Sequence, residues 1–164
     1  MYIPNIAPKT SHHKSAVCIF LAILVLFFVC NQKAANLPQY ENVNIVEGIG
    51  ISVKEGTLSP NGLEIKFQNT DNRSDFSYGT AYFLERYKLG QWCEVKPLPG
   101  AFIGGPDIDY PLSDGAEMRY YWRETYGDLP QGHYRIIVEI NSKPAQPITG
   151  QTCSYYLATD FCIK

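Results

Sequence analysis

The sequence predicts an all-β fold, an antiparallel sandwich of about seven strands preceded by an apolar N-terminal helix. Three observations lead there. From residue 48 onward, short segments alternate apolar and polar side chains, the period of a half-buried strand. Glycine, proline, asparagine and aspartate punctuate those segments at turn positions, with 13 Gly and 11 Pro in the chain. No long helical period separates them, which excludes a parallel sheet with crossover helices. The 164 residues are 45% hydrophobic and 18% charged, enough apolar surface for a core. A formal charge of −2 gives no basic excess, so no nucleic-acid partner is expected.

Residues 1–15 are polar and carry Lys9, His12, His13 and Lys14. Residues 16–30 run AVCIFLAILVLFFVC without a charge, and residues 31–47 are polar again and read as a linker. Charge followed by a short apolar run marks a secretory signal or a membrane anchor. Lysines before the run favour an N-in orientation. Fifteen helical residues span about 22 Å against a hydrocarbon core of about 30 Å. That is short for a permanent span, yet no small-x-small cleavage site follows. Three readings stay open: an uncleaved anchor, a lipoprotein lipidated at Cys30, or cleavage and release. Each places residues 36–164 outside the cytoplasm, with the membrane as a partner of the N-terminal segment. A buried helix of a cytosolic protein fits poorly, because the run is apolar on every face.

The strands follow in order. Residues 50–55 set Ile51 and Val53 on one side, and Gly56, Ser59-Pro60 and Asn61-Gly62 form a turn. Residues 63–67 direct Leu63, Ile65 and Phe67 inward and Glu64 and Lys66 outward. Residues 76–89 are aromatic-rich and long enough for one or two strands; Gly90-Gln91 turns the chain back into Trp92–Val95. A loop covers Pro97–Gly105, a strand is expected over Ala116–Arg123, and Glu124–Asp128 suits one helical turn. Gly132–Ile140 places Tyr134, Ile136, Val138 and Ile140 on one face. After a loop over Asn141–Thr152, the last strand, Ser154–Ile163, does the same with Leu157, Thr159, Phe161 and Ile163. The domain is therefore expected over residues 48–164.

The stretch Asp128-Leu129-Pro130-Gln131-Gly132-His133-Tyr134-Arg135-Ile136 resembles the E–F corner of immunoglobulin and fibronectin type III domains. That resemblance implies a structural role for Tyr134, its hydroxyl bonded to upstream backbone. Ile136 stands where antibody domains have their second cysteine. More widely, GISVKEGTLSPNGLEIKFQN, YFLERYKLGQWCEV, YPLSDGAEMRYYWRETYGDLPQGHYRI and YYLATDFCI are similar to a bacterial immunoglobulin-like domain family of Gram-positive surface proteins and lipoproteins. The resemblance implies an immunoglobulin-like fold and a surface location, and it transfers no catalytic residue.

Chemistry is sparse. His133 is the single histidine beyond the apolar run, too few for a metal cluster or a serine triad. No nucleophile elbow, HExxH, P-loop or dinucleotide fingerprint is present. Asp107, Asp109 and Asp114 do not follow the spacing of a calcium loop, and the pair Glu124 and Asp128 lacks any other sign of a sugar-cleaving cleft. No catalytic residue, metal or cofactor is expected. Cys93, Cys153 and Cys162 are disulfide candidates in an oxidising compartment. Cys153 and Cys162 lie about 30 Å apart in an extended segment. A bridge therefore favours Cys93 with one of them, and three free thiols are the alternative. Tyr120, Trp122, Tyr126 and Tyr155 are candidate binding aromatics, weighed against core filling. The expected function is non-catalytic binding of a protein or a cell-wall polymer. The alternatives are a structural spacer pairing through an edge strand, and an enzyme with an unrecognised site.

Overall fold

A computed structural model describes Tyr40 and residues 42–102, 108–143 and 153–164. The apolar run at residues 16–30, Cys30 included, lies outside the described residues.

Among the described residues, eight strands and one helical turn follow in the order β1 (Ile49–Val53), β2 (Gly62–Asn69), β3 (Phe76–Lys88), β4 (Gln91–Glu94), β5 (Tyr110–Pro111), β6 (Glu117–Tyr121), α1 (Arg123–Tyr126), β7 (Gly132–Ser142) and β8 (Cys153–Ile163). They form two sheets. The smaller is ordered β1-β2-β6; the larger is ordered β4-β3-β7-β8, with β5 on the far end of β3. Every pairing between these strands is antiparallel. The alternation expected from the sequence sets the core. Leu63, Ile65 and Phe67 of β2 face Ile136, Val138 and Ile140 of β7 and Leu157, Phe161 and Ile163 of β8 within one buried cluster.

The chain differs from expectation in three places, the β3–β4 turn, Glu64 and the linker. Of the one or two strands expected over the aromatic-rich stretch, residues 76–88 form one, broken only by a register shift between Tyr78 and Tyr82. Gly79 sits in that irregularity, where a strand gives up regular pairing. The β3–β4 turn is Leu89-Gly90, not Gly90-Gln91. Both residues have positive φ, 50° and 84°, as a two-residue loop matched to the sheet's twist requires. Glu64 points outward but is buried, because Arg119, its cross-strand neighbour on β6, and Lys54 close over its carboxylate. Lastly, part of the expected linker joins the sandwich. Val43 makes a parallel bridge with Tyr156 of β8. The Asn44 side chain both donates to the Ala158 carbonyl and accepts from the Ala158 N–H, each at 2.9 Å. Tyr40 is buried against Phe83 and Tyr156.

Candidate functional site

The aromatic residues separate into an internal set and an external one. Trp122 follows β6 directly and is 0% exposed. Its indole N–H donates to the Pro60 carbonyl at 2.7 Å and its ring stacks on Phe161. One helical turn later, α1 brings Tyr126 into the same core. Tyr120 is buried opposite Leu63, and Tyr155 packs half-buried against Phe76. Tyr120, Trp122 and Tyr126 are thus core residues and offer no surface to a ligand. The reason is geometric: Tyr120 takes the inner face of β6, and α1 then turns residues 122 and 126, four apart, to one side. Burial raises the pKa of the Tyr126 hydroxyl to about 12, aided by Tyr82 and Glu94, while a backbone hydrogen bond at Leu84 opposes the shift. The hydroxyl of Tyr120 is also pushed upward by burial. It finds no hydrogen-bond partner among the described residues.

Tyr134 lies at the start of β7, and its hydroxyl donates to the Pro130 carbonyl at 2.8 Å. Its ring stacks on Phe161. The bond spans four residues and ties the approach to β7 onto the strand itself.

Cys93, Cys153 and Cys162 are free thiols. β4 and β8 are the opposite edges of the larger sheet. Three strand spacings separate them, about 14 Å, beyond the reach of a disulfide. The expected bridge from Cys93 to β8 does not form. Among the described residues no group of three or more His, Cys, Asp or Glu converges as a metal site would require. Asp109 is exposed, and Asp107 lies outside the described residues. Asp114 accepts from the Asn69 N–H, and Asp128 pairs with Arg123.

The external set lies on the outer face of the larger sheet. Tyr87 of β3 pairs across the turn with Trp92 of β4, and His133 of β7 packs against both. Ring centroids are 5.1 Å apart for Tyr87–Trp92, 5.0 Å for Trp92–His133 and 5.5 Å for Tyr87–His133. The His133 Nε2 atom lies 3.1 Å from the Asp160 carboxylate on β8. Beneath the cluster runs a buried polar chain. The Arg135 guanidinium lies over the Trp92 ring at 4.7 Å, donates to the Glu85 carboxylate at 2.6 Å, and donates to the Tyr40 carbonyl at 2.9 Å. Trp92 is half-buried and Tyr87 is 44% exposed. Arg135 holds the indole down against the sheet, and edge contacts from Tyr87 and His133 fix its orientation.

This platform was only partly signalled by the sequence. Tyr87 and Trp92 stand symmetrically about the Leu89-Gly90 turn, so a correctly placed turn pairs them. His133 alternates with the inward Tyr134 and must face outward. Joining the three required the strand order β4-β3-β7, which no local pattern encodes.

Two comparisons, with curated proteins and with solved structures, found no match. A family model described as a bacterial Ig-like domain matches residues 46–158.

Proposed function

Since this chain belongs to the bacterial Ig-like domain family, we propose that it is a non-catalytic surface domain, held at the cell membrane by residues 16–30, that binds an extracytoplasmic partner through the Tyr87–Trp92–His133 platform. The observation that carries the reading is the contrast between the two aromatic sets. The core has its own buried rings, so the three at the sheet's outer edge are not needed to fill it. Aromatic groups with fixed orientation and polar neighbours such as Asp160 are the usual anchors of a binding surface. The membrane assignment rests on the uncharged run Ala16–Cys30 with Lys9 and Lys14 before it.

The test uses the full chain in lipid vesicles and envelope material from the source cells. Trp92→Ala should weaken retention by at least about tenfold while the fold persists, as loss of a central aromatic anchor does. Unchanged retention would remove the platform from the binding role. Mass spectrometry of the membrane-extracted protein tests the anchor. Retained Met1 or a lipid on Cys30 supports it, and a soluble chain starting after residue 30 overturns it.

A spacer or assembly role is the second reading, favoured by the β8 edge. β8 is 11 residues long with β7 on one side, and Val43 and Asn44 cover its other side only at Tyr156 and Ala158, which leaves the rest of that edge without a strand partner among the described residues. Light scattering across a concentration series separates a self-pairing chain from a monomeric binder.

A further inference from the structure

On the opposite side of the sandwich, the smaller sheet has a recess of about 310 Å³ beside Tyr121. Thr57 and Ser59 of the β1–β2 turn form one wall, Gly62 and Glu64 of β2 the base, and Arg119 and Tyr121 of β6 the other wall. We propose that this recess is a subsite for a single neutral pyranose ring of a polysaccharide. The inference is independent of the Trp92 platform and draws on other residues.

The recess depends on a glycine. A Cβ at residue 62 would lie 2.6 Å from the Tyr120 carbonyl oxygen and 3.0 Å from Cδ1 of Tyr121. Any side chain there would push the strand pair apart or displace the Tyr121 ring. Tyr121 is 64% exposed, high for so large an apolar surface, yet it is held in place. Its hydroxyl accepts from Nη1 of Arg119 at 3.0 Å, and the guanidinium carbon lies 5.8 Å from its ring centroid. A ring fixed in advance loses little freedom when a ligand stacks on it.

The polar groups point to the ligand's chemistry. Glu64, whose side chain is only 10% exposed, is gripped by Lys54 at 3.1 Å and by Arg119. Lys54 also pairs with Glu117. The cations Lys54 and Arg119 are thus matched by the carboxylates Glu64 and Glu117. With no net charge left over, the recess does not select an anion or a cation. It still offers hydrogen bonds. Each Glu64 oxygen has a second lone pair, and Arg119 has donors beyond those used on Glu64 and Tyr121. An apolar ring face bordered by both donors and acceptors is the counterpart of a pyranose, whose C–H face stacks and whose hydroxyls do both. The volume is at the lower end for ligand sites, which suits one ring and a millimolar affinity.

The test is saturation-transfer NMR and calorimetric titration of the full chain in nanodiscs, with cellotetraose, maltotetraose and N-acetylated chitotetraose as probes. At least one should bind with millimolar affinity. Tyr121→Ala should weaken it at least about tenfold, Tyr121→Phe should retain most of it, and Lys96→Ala, an exposed position outside both the recess and the platform, should leave it unchanged. Tyr121 is exposed, so the variants should unfold at the temperature of the parent chain. Three outcomes overturn the proposal: no binding by any of the three sugars, binding that survives Tyr121→Ala, or binding lost equally in Lys96→Ala.

Discussion

Arg135→Met should destabilise the sandwich by about 3–5 kcal/mol, the usual cost of removing one member of a buried ion pair. Glu85 is fully buried and directly opposite Arg135 across the β3–β7 ladder. Methionine fills much of the arginine stem but supplies no donor. The Glu85 carboxylate then stays inside without the guanidinium 2.6 Å away, and the Tyr40 carbonyl loses its 2.9 Å partner. Loss of the cation over Trp92 adds about 1 kcal/mol. The double variant Glu85→Leu/Arg135→Met removes both charges. It should recover to within about 1–2 kcal/mol of the parent, because apolar residues of similar volume replace a buried pair at little cost. Urea unfolding, followed by far-UV circular dichroism and tryptophan fluorescence, gives both values from midpoints at constant slope. A cost below about 1 kcal/mol for Arg135→Met, or a double variant no more stable than the single one, would show that Glu85 and Arg135 are not coupled as a buried pair.

Two tyrosine-to-phenylalanine changes should move in opposite directions in the same assay. Tyr134→Phe forfeits the hydroxyl bond to Pro130 and should cost about 1 kcal/mol, whereas Tyr120→Phe deletes a buried hydroxyl without a partner and should be neutral or stabilising. Leu89→Asn should raise stability by up to about 1 kcal/mol, since the residue is exposed with φ 50°, a conformation asparagine tolerates better than leucine. Stability should also fall at high pH. The folded-state pKa of Tyr126 is raised from 10.0 to about 12, so its contribution is fully present below pH 10 and is lost as pH rises towards 12. Thermal melts between those limits should depend less steeply on pH in Tyr126→Phe than in the parent, the remaining slope coming from the other tyrosines raised by burial, such as Tyr82 and Tyr120.

Strand positions were legible because one face of each strand meets a core. Every residue read as inward in Tyr134–Ile140 and Leu63–Phe67 is buried in β7 and β2, although Arg135, Ile137 and Glu64 between them are covered as well. What stayed hidden depended on partners distant in the chain. Glu64 looks like a solvated charge until Arg119 is set beside it by the β2–β6 register. Trp122 and Tyr126 look like surface aromatics because the period changes from strand to helical turn between them. Residues 40–44 show no alternation, since their hold on β8 comes from one bridge, one asparagine side chain and one ring rather than a ladder. The two surface sites were hidden for the same reason. Tyr87 and His133, like Glu64 and Tyr121, meet only through the order of strands in a sheet.

The attachment of Tyr40–Asn44 to β8 has a mechanical consequence. Val43 runs parallel to the C-terminal strand. Tension between the segment before Tyr40 and the end at Lys164 therefore pulls the two strands past each other along their length. The Asn44 bonds to Ala158, the Asn44 N–H to the Tyr156 carbonyl and the Arg135 bond to Tyr40 are then loaded together rather than peeled singly. The domain gains resistance to tension along this axis without any added area of core. Single-molecule pulling should register the difference as a lower unfolding force in Asn44→Ala, and an unchanged force would place the mechanical clamp elsewhere.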